Sequence, residues 1–493
     1  MSNRPSSLSK SRFLAGLQCP LRLWHQCCSR EFADPVSPMQ KALFESGHEV
    51  GRMATKCYPN GILIREDHLH HEDAVRSTID AMNDPEVQAI FEAAYTEGGV
   101  RVRADILERV PAGGWNLIEV KASSGVKEEY STDLAVQYHI LQMAEIDLDR
   151  VYLMHINRDY VFDGMELELD GFFVLEDMTD DAAGLQDFVR ENISQIKKML
   201  SMDRPPVIQP SRRCHQPHKC EFWGHCTRNV PENWILQLSG IRQEHFEDLT
   251  ARGVFTIDNI PNFFPLTAIQ RRIRDCIIES REHIDPALHD ALNDVSFLVH
   301  FLDFETVSPA IPRYAGTRPS YQILPFQWSD HILYSNGTIE HKEFLCDEDI
   351  DPRTDFMQSL LDVLKGKGTI FIYTTYEQRI LRDLAGHSPE HADHLNRLHS
   401  RFVDLYALIK AYYYNPAFNG SFSLKNVLPA LVPEMDYQNL AIREGGTASL
   451  EYIRMLDPQT PVTEKRKIRK NLLAYCEQDT LAIVKIRDAL LSE

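Results

Sequence analysis

The stretch 296–307, SFLVHFLDFETV, constrains this chain more than any other. Its apolar run predicts a strand inside a sheet, yet it ends in two acids, Asp303 and Glu305. Residues i and i+2 of a strand share a face, so the two carboxylates lie side by side. Adjacent carboxylates repel and cost stability unless a cation neutralises them. The end of an apolar strand is also where α/β proteins usually place their sites. The expectation is an α/β domain with a divalent-cation site at the end of this strand.

The 493 residues suffice for several domains, and 43% hydrophobic with 25% charged residues is an ordinary globular composition. No apolar run reaches the ~18 residues of a membrane span, so no membrane association is expected. The opening MSNRPSSLSKSRF has no apolar signal core, which makes the cytoplasm the default location. The formal charge of −20 argues against a surface coated for non-specific DNA binding. It does not exclude a nuclease, because clustered carboxylates hold metals while a local basic groove takes phosphates. Ten cysteines in such a chain point to metal ligation where spacing supports it and to ordinary thiols elsewhere.

Three regions separate by pattern. Residues 1–230 open with a helical stretch, SKSRFLAGLQCPLRLWHQ, for which Ser9 or Ser11 is the candidate cap. VRVRADILERV and WNLIEVKA alternate as paired strands do, with the turn PAGG between them. A helix, DLAVQYHILQMAEI, and a strand, RVYLMHIN, follow, which is an α/β order. Residues 231–292 read as a helical connector. Residues 293–493 read as a second α/β unit, with strands in ILPFQWSDHILY and GTIFIYTTY and helices at YEQRILRDLA, FVDLYALIKAYY and the C-terminus.

Within the first region, thirteen residues separate Asp105 from Glu119-Val120-Lys121. Glu119 and Lys121 share a strand face and Asp105 lies on the preceding strand. Two carboxylates suit a hard cation such as Mg²⁺, and a nearby lysine suits a phosphoryl charge. For a bare D…ExK a solvent-facing hairpin is the better explanation; only its context tips the reading toward a site. In CHQPHKCEFWGHC, Cys214, Cys220 and Cys226 recur at five-residue intervals, without the tight CxxC of zinc knuckles. Near the C-terminus, YCEQD places Tyr475 four residues before Asp479, on one helix face.

These stretches resemble known families. GGVRVRADILERV…WNLIEVKASSGVK resembles the RecB-like branch of the PD-(D/E)XK nucleases, in which a helical glutamine follows the lysine, here Gln137 of AVQYHIL. That branch often carries an upstream metal-binding His in a Gly-x-x-apolar-His pattern; Gly51 stands there in GHEVG, and His48 and Glu49 are candidate substitutes. A subset that includes AddB and the CRISPR-adaptation nucleases clamps a [4Fe-4S] cluster with one early and three late cysteines. The resemblance implies that role for Cys19 with Cys214, Cys220 and Cys226, with Zn²⁺ as the alternative metal.

The C-terminal motifs resemble the DEDD family of 3′–5′ exonucleases, DnaQ-like with a ribonuclease-H-like fold. The resemblance implies that Asp303, Glu305 and Asp479 hold two Mg²⁺ or Mn²⁺ ions, that Glu377 supplies the second acid, and that Tyr475 orients the attacking water. Glu377 and Thr374 stand where that family has Asp and Asn, and Asp404 is a candidate supporting acid or a helix-starting residue. Gln327 reads first as a core residue of its strand and Lys425 first as a solvated lysine. The whole chain resembles an uncharacterised bacterial family that fuses the two nuclease types. The implied activity is DNA hydrolysis, with single-strand 3′–5′ exonuclease action at the C-terminal site. An RNA exonuclease, or a degenerate module that grips strand ends, is the alternative. The implied partners are nucleic acid, DNA before RNA, and a helicase or other repair or defence protein, since the chain has no GxxxxGK[ST] loop of its own.

Overall fold

A computed structural model describes residues 8–319 and 322–492. It is a mixed α/β protein of two compact units. The first comprises Met1–Asn229 and Pro309–Gln322, the second Val230–Ser308 and Ile323–Glu493. No helix among the described residues is long and apolar enough to cross a membrane.

In the first unit, β1 (Leu8–Ser9) leads into helices α1 (Lys10–Gln18) and α2 (Pro20–Cys28). Ser9 caps α1, accepting from the Arg12 N–H at 3.2 Å. The single helix expected here breaks at Cys19, which is extended at φ −161° and ψ 115°. Pro20 is the cause: its ring disfavours helical geometry at the preceding residue, and proline itself suits a first helical turn. Helices α3 (Pro38–Thr55) and α4 (His71–Asn83) frame a sheet of β2 (Gly61–Leu63), β3 (Ala89–Glu97), β4 (Val100–Arg109), β5 (Trp115–Lys121), β6 (Leu148–Ile156) and β7 (Phe173–Asp177), in that spatial order. Helix α5 (Glu128–Met143) connects β5 to β6, which pair in parallel. Ala104, Leu107, Leu117, Val136, Ile140 and Leu153 lie in the core between them. Strand β3 was not foreseen. Both of its faces are largely buried, so AIFEAAYTE lacks the alternation that betrays a half-exposed strand.

The second unit begins earlier than expected. Residues 231–292, expected as a helical connector, pack into it. Within them β8 (His283–Ile284) pairs with a short strand, Tyr413–Tyr414, and the Tyr413 hydroxyl bonds Glu282 at 2.5 Å. The main sheet holds β9 (Val299–Val307), β10 (Leu324–Leu333), β11 (Ile339–Leu345), β12 (Ile370–Ile372) and β13 (Phe402–Asp404). Its order is β11-β10-β9-β12-β13, with β9 antiparallel to β10 and parallel to β12. The acid-tipped strand is therefore central. FVDLYALIKAYY, expected as one helix, starts as β13, and Asp404 then caps the helix Leu405–Tyr412 by accepting from the Ala407 N–H at 3.1 Å.

A further close contact ties the 231–292 segment to the rest of the unit. Gly420 has φ +75°, and a Cβ there would stand 1.8 Å from the Gln237 carbonyl oxygen. Gly420→Ala should therefore cost about 2 kcal/mol or more in chemical denaturation, combining left-handed strain with a backbone clash. A loss within experimental error would show that this packing is dispensable.

Candidate active sites

The N-terminal site forms where β4, β5 and α5 meet. Glu119 and Lys121 project from the same face of β5, and the Lys121 Nζ donates to Glu119 Oε1 at 2.6 Å. Asp105 sits on β4, where its carboxylate accepts the Val120 N–H at 2.7 Å. Gln137, fully buried on α5, donates to Glu119 Oε2 at 2.8 Å. Four residues named from sequence thus converge. Two more join them. Asp133, one helical turn before Gln137, bonds Lys121, and Lys10 from α1 reaches Glu119 at 2.8 Å and Asp133 at 3.1 Å. His48 and Glu49 on α3 are exposed.

Charge is divided unevenly here. Burial would lift the Glu119 pKa, but Lys10 and Lys121 outweigh it and hold the carboxyl well below its usual range. Burial and the neighbouring Glu119 push Asp105 up to about 8. Burial opposes the charge on Lys10, yet Asp133, Glu119 and Asp105 prevail and raise its pKa.

The four cysteines share one small cavity in the same unit, walled by Ile208, Pro210, Phe222 and Trp223. Pro20 fixes the turn that presents Cys19. The Cys220 N–H donates to the Cys214 carbonyl at 2.7 Å, folding the late loop back on itself. Gln18 bonds the Arg213 and His218 carbonyls at 3.1 and 2.8 Å, and Arg22 and Gln26 both bond Glu221. Burial raises the thiols of Cys214 and Cys226 and pushes Cys220 up to about 12. His215 packs on Trp223 and His225 stacks on Phe32. None of the ten cysteines is paired in a disulfide.

The C-terminal site opens at the end of β9 as a cleft of about 480 Å³. Asp303, Glu305 and Asp479 bring carboxylate oxygens within 4.8 Å of one another, the sole such His/Cys/Asp/Glu group among the described residues. Asp479 comes from the C-terminal helix Val462–Ser492, which also carries Tyr475 into the cleft. Glu377 opens the helix Tyr376–His387, is buried, and leaves Oε2 without a partner. Burial first, then mutual repulsion, raises Asp303, Glu305 and Glu377 well above the carboxylate range. Asp479 rises only to about 6, because hydrogen bonds from Tyr437 and Tyr475 and the charge of Lys425 counter its burial.

Other residues of the second unit sort by contact. Asp404 spends its oxygen on the Ala407 and Thr374 N–H groups, so it is a cap. Thr374 holds φ +88°, a strained value for a β-branched residue, immediately before the turn to Glu377. Gln327 donates to the Leu472 carbonyl at 2.9 Å and is a core residue. Lys425 lines the cleft. Tyr437, which sequence reasoning missed, donates to Asp479 Oδ1 at 2.5 Å, and Cys476 approaches Asp303 Oδ2 at 3.5 Å. Tyr437 lies in a loop with no periodicity to mark it. Cys476, which the sequence suggests only as an ordinary thiol, neighbours Tyr475 on a helix already assigned to the site.

Comparisons with known proteins are sparse. A family model described as "Domain of unknown function (DUF2779)" matches residues 300–423, a segment that includes Asp303, Glu305 and Glu377. No curated protein matches the chain. A solved structure described as "Crystal structure of SSO0001" is 13% identical over 40% of this chain and 79% of that one, with a TM-score of 0.19, a likeness too slight to carry an argument.

The raised carboxylates have a consequence for stability. The folded state binds more protons than the unfolded state between the ordinary carboxylate pKa and the raised one, so stability falls as pH rises through that window. Without divalent ions, thermal stability should therefore drop from about pH 5 upward through about 6, the Asp479 value, and beyond. Mn²⁺ should flatten the decline. Melting curves in EDTA that stay level or rise over this range would contradict the assignment.

Proposed function

We propose that this protein is a metal-dependent nuclease with two hydrolytic sites, the C-terminal one a 3′–5′ exonuclease acting on DNA single strands. The observation that carries the reading is the convergence of Asp303, Glu305 and Asp479 in an open cleft, with no ammonium bonded to them among the described residues. Buried like charges at this spacing are stable only when protonated or when a cation lies between them. An all-oxygen donor set suits Mg²⁺ or Mn²⁺.

Asp303, Glu305 and Asp479 would hold the ions, with Glu377 behind them. Divalent ions at such a site supply an activated water and charge stabilisation for the departing 3′ oxygen. Tyr437 fixes the orientation of Asp479 through its short hydrogen bond. The Tyr475 hydroxyl, also bonded to Asp479, would orient the attacking water. Lys425, on the cleft wall, is the cation available to a substrate phosphate. The architecture we propose is a PD-(D/E)XK unit of the RecB-like type joined to a ribonuclease-H-like DEDD unit. The order β4, β5, α5, β6, with Asp105, Glu119, Lys121 and Gln137 at one locus, supports the first half.

The four cysteines are proposed to hold a [4Fe-4S] cluster. Their soft donor set suits iron–sulfur or zinc. A tetrahedral zinc with ~2.3 Å bonds holds its sulfurs within about 4 Å of each other. The four thiols line one cavity, and the resemblance to cluster-bearing RecB-like nucleases favours the cluster over a single zinc ion. We further propose a helicase or other repair or defence protein as a partner.

A time course on 5′-labelled single-stranded DNA and RNA with Mn²⁺ tests the function. Asp303→Ala and Asp479→Ala should each slow a descending ladder by at least roughly a hundredfold, while Lys121→Ala leaves it intact. Near-native rates in either Asp variant would refute the C-terminal assignment, and preference for RNA would revise the substrate. Protein purified without oxygen should be brown, with absorbance near ~400 nm lost on Cys19→Ala. Colourless protein with stoichiometric zinc would replace the cluster by a single ion.

A further inference from the structure

The N-terminal site contains a lysine for which the nuclease reading has no role. Lys10 is the first residue of α1, and its side chain is only 20% exposed. Burying an ammonium is costly unless it is closely paired. Lys10 is doubly paired, at 2.8 Å from Glu119 Oε1 and 3.1 Å from Asp133 Oδ1. Glu119 Oε1 thus receives both Lys10 and Lys121, while Oε2 receives Gln137.

Two devices hold Lys10 there. Just before it, β1 pairs in parallel with β4, Leu8 with Val100 and Ser9 with Arg101. At the other end, α1 runs nine residues, about 13 Å, to Cys19 in the cysteine cavity. The helix is a strut between the two places.

Charge distinguishes this site from the C-terminal one. When all its groups are ionised, three carboxylates, Asp105, Glu119 and Asp133, face two ammoniums, Lys10 and Lys121. One negative charge remains. A single divalent ion turns that into one positive charge, which matches one phosphodiester. In the C-terminal site, four carboxylates, Asp303, Glu305, Glu377 and Asp479, face Lys425. Three negative charges remain there, and two divalent ions are needed to reach the same balance.

We infer that Lys10 serves the N-terminal site as a built-in cation, standing in for a second metal ion, so that this site accepts one divalent ion and the C-terminal site two. Lys10 is a positioning residue that acts through Glu119 and Asp133. The inference rests on the nuclease reading of the N-terminal site and adds its ion count.

The test uses full-length, cluster-loaded protein carrying Asp303→Ala and Asp479→Ala, which empties the C-terminal site. Mn²⁺ is titrated and free ion is followed by electron paramagnetic resonance, with circular dichroism as the check on folding. One Mn²⁺ should bind per chain. Adding Lys10→Gln should tighten that ion by about tenfold or more, because a competing charge at contact distance is gone. Lys10→Arg should restore the parent affinity. Two ions bound with Lys10 in place, or no tightening in a folded Lys10→Gln protein, would overturn the inference while leaving the site a metal site. No Mn²⁺ bound with or without Lys10 would overturn the nuclease reading of this site as well. The ion count requires no change at Lys10, so it decides the matter even if the Gln variant does not fold.

Discussion

Carboxylates buried beside one another are the constraint on which both units turn. Such groups are tolerated only when charge or protons balance them. The first unit balances Glu119 internally, with two ammoniums and a buried amide on its two oxygens. In the second unit no cation among the described residues bonds Asp303, Glu305 or Glu377, and burial, then mutual repulsion, raises their pKa values. The same residue chemistry therefore produces a largely balanced locus in one unit, with one negative charge left over, and an open cleft rich in unbalanced carboxylates in the other.

The supporting structure follows from keeping these groups in place. Strand β9 is central in its sheet; β12 pairs it at His300 and Phe301, and β10 continues the pairing beneath the acids, Ser329 with Asp303 and Gln327 with Glu305. Two tyrosines bond Asp479 and keep its pKa nearer the ordinary range than its neighbours. In the first unit, Pro20 converts one helical stretch into two helices meeting at Cys19. That break both delivers a thiol to the cysteine cavity and fixes the direction in which α1 carries Lys10 toward Glu119.

Several of these features were legible in the chain. Asp303 and Glu305 announce themselves because strand periodicity puts two acids on one face of an apolar run. Tyr475 and Asp479 are one helical turn apart, as are Asp133 and Gln137, although Asp133 was passed over. Glu119 and Lys121 follow the same two-residue rule. The break at Cys19 was also written in the sequence, since a proline restrains its predecessor locally, but the helical pattern on either side concealed it. Strand β3 escaped because burial on both faces erases alternation.

The sequence by itself determined the mixed α/β class, the strand-borne acids and the recurrence of cysteines, all properties of residues a few positions apart. Only the tertiary structure decided that Lys10 meets Glu119 across 109 residues, that Tyr437 meets Asp479 across 42, and that residues 231–292 belong to the second unit. It also decided that Cys19 shares a cavity with three cysteines nearly two hundred positions later. Periodicity reports which face a side chain takes on its own element. Which elements then face one another depends on how buried surfaces and buried charges are satisfied together, and that balance has no local signature.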